Sequence, residues 1–392
     1  MIDYSQIFTN EDKLKLIELY HKYDNQKQDL WANMLQEINK TFSIQIEKHD
    51  IERFRSWFKR VRRNLDASYP SPTSTVFNDE RLALEAERVK VRDQRNALKA
   101  TIREQSRFEY LGECFNNAAR EVAKQKPLTW KQPAKSSGLK EAALLLSDWH
   151  VGLQVDSIFN KYNVQECRRR LSVLTQKAIQ YGREHKVKVF HVFDLGDAVA
   201  GTIHNAVRAA SNEDVISQIM IASELYAEIM TALANEFSEV RFYSVTDNHS
   251  RILPNKNDVL QKESFARCIP WYLKPRLAHM KNVTVMDSTL DHEICVTDIM
   301  GHTVFATHGH RDNVNNVVSN LALMLKQFPD YVFMAHYHHH VEEEFHGCDV
   351  IINPSLVGVE EHSKGIRKTS KPAQKLLIFT EEGRECTYVI RV

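Results

Sequence analysis

The chain has 392 residues with near-balanced charge, 52 Lys and Arg against 51 Asp and Glu for a net +1. Such a length predicts two or three domains, and the balance excludes a partner that could be read from whole-chain charge, so any electrostatic signal must be local. Six cysteines without regular spacing (Cys114, Cys167, Cys268, Cys295, Cys348 and Cys386) exclude a zinc ribbon or disulfide framework, and the polar start Met1–Asn10 and lack of a membrane-length apolar run exclude a signal peptide or membrane span. A reducing, cytoplasmic setting is therefore expected, with no Walker-type loop, dinucleotide fingerprint or internal repeat.

Residues 1–66 read as a three-helix unit. Asp12–Tyr23 places Leu14, Leu16, Ile17, Leu19 and Tyr20 on one stripe, and Asp29–Thr41 turns Leu30, Trp31, Met34, Leu35 and Ile38 inward. A third helix, capped by Asp50, sets Ile51, Phe54, Trp57, Phe58 and Val61 at core spacing, with a basic opposite face. Three short helices with a basic last one resemble a helix-turn-helix or Myb-like DNA-binding unit. Arg53, Arg55, Lys59, Arg60, Arg62 and Arg63 would then meet phosphates and base edges, although such a unit also suits a protein partner.

Residues 67–77 form a Pro- and Ser-rich linker, and 78–126 are rich in Glu, Arg, Lys, Ala and Gln, which predicts a long helical arm. Leu84, Val91 and Leu98 keep a seven-residue spacing that suits a homodimer through the arm, against the plainer reading of a connecting helix. A second linker, 127–139, leads to residues 140–392.

There, five clusters each follow a strand-like apolar run. Asp148-Trp149-His150 follows Ala142–Leu146, Gly196-Asp197 follows Val187–Leu195, and Asn248-His249 follows Val240–Val245. His308-Gly309-His310 follows Thr303–Ala306, and His336-Tyr337-His338 follows Tyr331–Met334. Strand ends bring side chains to one rim of an α/β sheet. Asp-x-His and His-x-His put both groups on one face of an extended segment. Carboxylate, imidazole and amide groups together suit manganese, iron, zinc or nickel better than magnesium or calcium, and a carboxylate such as Asp197 can bridge two cations. Helices are expected at Val164–Glu184, Asn212–Phe237 and Val314–Gln327. The segment Leu253–Lys281 reads as a lid or strand groove offering Trp271, Tyr272, Lys274 and Arg276 to nucleic acid, or as an ordinary apolar helix end.

The clusters, in the forms SDWHVG, LGDAVAG, TDNHSR, THGH and AHYHHH, with INPSLVG after them, resemble the calcineurin-like metallophosphoesterase superfamily over residues 140–392. The resemblance implies a four-layer αββα fold behind the all-α module and arm. It implies two divalent cations, manganese foremost: one on Asp148, His150, Asp197 and His338, the other on Asp197, Asn248, His308 and His336. His249 would protonate the leaving oxygen. His308 and His310 compete for one ligand place, which the family pattern gives to His308. His204, His310 and Arg251 are expected to touch substrate. Asp247 replaces the usual Gly before Asn-His, Ser250 replaces the usual acid after it, and Ala335 replaces a Gly.

Substrates vary widely within the superfamily, so the basic helix decides the reading. The expectation is a two-metal DNA nuclease or phosphodiesterase, using a hydroxide shared by the cations and resembling bacterial and phage repair-type exonucleases. A small-substrate phosphodiesterase or phosphatase with an oligomerising N-terminus is the second reading. A DNA-binding regulatory protein on a retired scaffold is the third, disfavoured because buried charges are costly to keep without use.

Overall fold

A computed structural model describes residues 4–23, 30–46, 50–66, 81–99, 101–102, 126–134, 137–203, 207–208, 211–253, 259–260, 262–287, 290–360 and 369–392, with isolated positions between them. The linker 67–77, most of 103–125 and His204 lie outside the described residues. The chain forms two compact units, Met1–Ser106 and Arg107–Val392.

In the first unit, α1 (Tyr4–Ile7), α2 (Asn10–Tyr23), α3 (Leu30–Thr41) and α4 (Ile51–Asp66) surround a core of Leu16, Met34, Ile38, Phe54, Trp57 and Phe58. Sequence reading missed α1, because Met1–Asn10 looks polar. Tyr4 and Phe8 are nonetheless buried, Tyr4 edge-on to Phe54 at 5.3 Å and Phe8 stacked on Trp57 at 5.2 Å. Helix α2 starts before the expected Asp12 because Thr9 and Asp12 cap it reciprocally. Asp12 N donates to Thr9 Oγ1 at 3.2 Å and Thr9 N to Asp12 Oδ2 at 2.9 Å. Leu14, expected in the core, is 46% exposed. Residues 81–99 are helical, and Leu84, Val91 and Leu98 are all exposed on them.

The second unit holds two main sheets. In the six-stranded sheet the order is β13 (Gly383–Arg391), β12 (Ala373–Thr380), β1 (Lys140–Leu146), β4 (Val187–Asp194), β5 (Glu239–Ser244) and β6 (Val283–Val285). Strands β1, β4, β5 and β6 run parallel, and β12 is antiparallel to β1. The five-stranded sheet has the order β10 (Val341–Phe345), β11 (Cys348–Ile352), β9 (Tyr331–Met334), β8 (His302–Thr307) and β7 (Ile294–Ile299), with β8, β9 and β11 parallel. A short hairpin, β2 (Val155–Asp156) and β3 (Lys161–Tyr162), stands apart.

Strand β1 is buried on both faces, as its unbroken apolar run requires. Ala142, Leu144 and Leu146 join a cluster with α5 (Val164–Glu184), α6 (Val215–Ala234) and α7 (Cys268–Arg276). Ala143 and Leu145 join Phe193, Tyr243, Phe333, Ile351, Leu377 and Phe379, side chains drawn from both sheets. The far face of the second sheet packs Phe305, Val332 and Val350 against Val317, Val318 and Leu321 of α8 (Val317–Leu325). The expected helices therefore form, Val164–Glu184 with the expected bounds and the other two shorter at both ends. Asn163 caps α5 and Asp214 caps α6.

Part of the segment read as a second linker is fastened to this unit: Lys131 N donates to Asn235 Oδ1 at 2.7 Å and His279 Nε2 to Leu128 O at 3.1 Å. Within Leu253–Lys281, helix α7 packs on α6. Tyr272 and Arg276 are committed to Glu224 and Lys274 to Asp287, while Trp271 is exposed. Three of the four residues offered to nucleic acid thus have internal partners. The described helices include none long and apolar enough to cross a membrane. The cysteines among the described residues are free.

One buried cation organises a corner of this unit. Arg170, on α5, donates to Glu166 Oε1 (2.8 Å), the carbonyls of Leu356 (2.9 Å), Val357 (2.8 Å) and Lys161 (3.2 Å), and Asn160 Oδ1 (2.9 Å). Removing it strands several acceptors at once. Arg170→Ala should lower unfolding free energy by about 2–4 kcal/mol in urea titration; a loss below about 1 kcal/mol would show that water replaces the guanidinium.

Candidate binuclear metal centre

All five sequence clusters lie just beyond the C-terminal ends of parallel strands: β1, β4 and β5 in one sheet, β8 and β9 in the other. The two sheets therefore deliver their donors to one rim, as open α/β sheets do. Asp148, His150, Asp197 and His338 form one group whose ligand atoms all lie within 4.8 Å of one another, and Asp197, His308 and His336 form a second. Asp197 belongs to both.

Five of these donors hold left-handed backbone: Asp148 (φ 52), His150 (φ 42), Asp197 (φ 53), His336 (φ 66) and His338 (φ 60). Each such residue costs on the order of 1–3 kcal/mol, and strain of this kind concentrates where function needs it. Alternation along an extended strand, the basis of the sequence reading, is therefore not what aims these side chains. Sharp turns just past the strand ends do so.

Close backbone approach explains two glycines. At Gly196 (φ +93) a Cβ would stand 2.6 Å from the Asp247 Cβ and 2.9 Å from His308 Nδ1. At Gly201 (φ +71) it would stand 2.1 Å from the His249 carbonyl oxygen.

The donors fit divalent cations. Asp148 is fully buried, and neither carboxylate oxygen has a hydrogen-bond donor of good geometry; His338 Nε2 stands 3.2 Å from Oδ1. His150 Nε2 faces His338 Nε2 at 3.5 Å, an approach that a shared cation would stabilise. His308 Nε2 lies 3.2 Å from Asp197 Oδ2 and 2.9 Å from Asn248 Oδ1. Its Nδ1 donates to the Leu195 carbonyl at 2.7 Å, which turns Nε2 to the centre as ligating histidines require.

Charge follows from this crowding. Burial alone would raise the Asp148 and Asp197 carboxyls, but the surrounding imidazoles hold both below the ordinary range, Asp197 far below. Burial alone would lower His308, yet Asp197, Asp148 and Asp247 outweigh it and raise the imidazole to about 10. Burial pushes His150 down to about 3, helped by His249, and His336 down to about 4, helped by His308.

Asp247 and Ser250, where the sequence departs from the family pattern, turn out to be built into the site. Asp247 Oδ2 accepts from Asp197 N at 2.9 Å and Ser250 Oγ at 2.9 Å, and Oδ1 accepts from Ser250 N at 2.6 Å. The carboxylate thus pins the Asp197 turn by its backbone N–H. Burial, then the Asp197 charge, raises its carboxyl to about 6. Sequence reading also missed Ser355, which binds the backbones of both Asp148 (Oγ to O, 3.2 Å) and His338 (N to O, 3.4 Å). Asn353 donates to Ser147 Oγ at 2.8 Å. The INPSLVG resemblance was their only sequence signal.

His249 is oriented by a backbone carbonyl. Its Nδ1 donates to the Ala200 carbonyl at 2.8 Å, and its Nε2 lies 3.9 Å from Asp197 Oδ2. His310 sits beside the second group, 5.5 Å from the His308 ring, with Nε2 3.7 Å from Glu293. Arg251 is partly buried, its Nε donating to the Leu253 carbonyl at 3.2 Å. In the first unit, Arg53, Lys59, Arg60 and Arg63 are exposed. Arg55 is paired with Glu52 at 2.7 Å and lies over the Trp31 ring, and Arg62 lies over the Tyr20 ring. Those two guanidiniums also pack the unit, a role the sequence reading of them as phosphate or base contacts did not include.

No known family profile matches the chain. It is similar to the SPbeta prophage-derived uncharacterized protein YonJ of Bacillus subtilis (strain 168), 25% identical over 370 residues, covering 90% of this chain and 89% of that protein. Among solved structures it is similar to a novel archaeal phosphodiesterase (15% identity, 64% of this chain and 99% of that one, TM-score 0.33). Vps29 of Entamoeba histolytica complexed with zinc (14%, 64% and 98%, TM-score 0.32) and a predicted phosphoesterase of Streptococcus pneumoniae TIGR4 (10%, 64% and 98%, TM-score 0.26) are others. These scores are too low to bear on function, so the reading below rests on the donors themselves.

Three outcomes are expected. Manganese added to chelator-stripped protein should raise the unfolding midpoint by about 5–10 °C, and Asp197→Ala should erase that rise; a full rise in the variant would refute sharing. Because a protonated His308 must lose its proton to bind a cation, uptake at neutral pH should release protons, read as a dependence of titration heat on buffer ionisation; no dependence would show that His308 is already neutral before the cation binds. Asp247→Ala should weaken metal binding by about 10–100-fold in competition with a fluorescent chelator. Unchanged affinity would leave Asp247 with a folding role alone.

Proposed function

We propose that the Arg107–Val392 unit is a two-metal phosphodiesterase domain of the calcineurin-like type, with helices, two sheets and a helix in four layers, and that the chain is a DNA nuclease. The carrying observation is the pair of donor groups sharing Asp197. Asp148, His150, Asp197 and His338 would hold one cation, and Asp197, Asn248, His308 and His336 the other. Imidazole, carboxylate and amide donors suit manganese, iron, zinc or nickel. When bound, such a pair supplies an activated nucleophile and neutralises charge on the phosphoryl oxygens.

The chain's own residues do the rest. His249 Nδ1–H donates a hydrogen bond to the Ala200 carbonyl, so Nε2 faces the donors. Protonated there, His249 gives that proton to the departing sugar oxygen, a step worth about 10²–10⁴ in rate. Asp247 and Ser355 hold the turns that carry Asp197, Asp148 and His338, which keeps reacting groups in register. DNA is favoured over a small substrate by the exposed Arg53, Lys59, Arg60 and Arg63 on one helix, a local basic face in a chain of near-zero net charge.

The test is cleavage of end-labelled linear and closed circular DNA with manganese, alongside Asp197→Ala and His249→Ala. Wild type should cut, Asp197→Ala should not, and His249→Ala should fall at least about 100-fold. An unchanged His249→Ala rate would remove that residue from the chemistry. Hydrolysis of a simple aryl phosphodiester without DNA cleavage would establish the small-substrate reading instead.

A further inference from the structure

The β2–β3 hairpin carries none of the metal donors, yet it is fastened to them. Leu153 N, just before the hairpin, donates to the His150 carbonyl at 2.9 Å. The Tyr162 hydroxyl, at its end, donates to the carbonyl of Trp149, between Asp148 and His150. Asn160, in the turn, donates to the carbonyls of Val357 (2.8 Å) and Val359 (2.9 Å), just beyond Ser355, which binds the Asp148 and His338 backbones. Buried Arg170 ties Asn160, Lys161, Leu356 and Val357 together. Within the turn, Ser157 Oγ accepts from Phe159 N and Asn160 N, each at 3.2 Å.

All this order ends in a tip that packs on little. Ile158 is 93% exposed and Phe159 58% exposed. Scattered apolar side chains on a surface need no account, but two adjacent ones on a turn held this firmly beside a catalytic rim do. Near the hairpin lies a shallow groove walled by Lys161, Arg169, Arg170 and one carboxylate, Glu166, so its lining is net positive. Lys161 makes only a loose, solvent-exposed 3.7 Å pair with Asp156, while Arg169 is shared with Glu166. An apolar platform next to a cationic groove at a phosphodiester site matches one ligand chemistry: a single nucleic-acid strand, bases on the platform and phosphates in the groove.

We propose that Phe159 stacks on a nucleobase flanking the scissile phosphodiester, with Ile158 as an apolar contact beside it. This rests on the nucleic-acid substrate proposed above. Stacking tolerates any base, so the hairpin positions a strand without selecting its sequence.

The test compares cleavage of a single-stranded oligonucleotide with that of an abasic oligomer of equal length, by wild type and by the double variant Ile158→Ser, Phe159→Ser. Wild type should favour the base-bearing strand by about 5- to 100-fold in kcat/KM, mostly through KM, and the variant should lose that preference. The variant's hydrolysis of methyl 4-nitrophenyl phosphate, which offers no nucleobase, and its unfolding midpoint should match wild type. A variant that keeps the preference overturns the platform, as does one that loses the small diester as well, since the hairpin would then only support the metal turns. A wild type that cleaves the small diester and no oligonucleotide overturns the nucleic-acid reading itself. That outcome is distinct from failure of the hairpin alone.

Discussion

Two carboxylates buried among imidazoles constrain much of the second unit. Asp148 and Asp197 are almost wholly removed from water, and leaving such charges uncompensated would cost several kcal/mol each. Compensation comes chiefly from His308 and His338, imidazoles that these carboxylates raise; the carboxylates come from one sheet and the histidines from the other, so the rim cannot form unless both sheets pack. The turns that aim the donors adopt backbone that non-glycine residues avoid, and they persist because surrounding hydrogen bonds over-determine them. Asp247 on Asp197, Gly196 on Asp148, Asp197 on His150 and Ser355 on Asp148 and His338 are those bonds. Stability is spent here on geometry.

The same logic extends outward from the donors. Asn353 and Ser355 sit on the loop after β11, and that loop is gripped in turn by Arg170 and Asn160. Metal turns, loop and hairpin therefore form one hydrogen-bonded frame on the rim. The substrate proposed for this rim would meet fixed groups, which is what makes proximity effective in catalysis.

What could be read from the sequence was local. Apolar runs ending in Asp, His or Asn located the strands and the donors, because a buried parallel strand must be apolar along its length and its polar successor must lie at the rim. Val164–Glu184 and Tyr331–Met334 form with the very bounds their patterns suggest. What could not be read depended on distant partners. Asp247 looked like a defect in a pattern, and its use became visible only with Asp197 N beside it. Tyr4 and Phe8 looked like a polar terminus until Phe54 and Trp57 closed over them. Arg55 and Arg62 read as phosphate contacts, yet each also covers an aromatic ring that no nearby residue supplies.

The central claim is that Asp197 is shared by two cations. Anomalous diffraction from crystals grown with manganese tests it most directly. Two peaks about 3.5–4 Å apart, with Asp197 between them and His150 and His308 on opposite sides, are the result expected. A single peak, or two peaks that do not share Asp197, would contradict it.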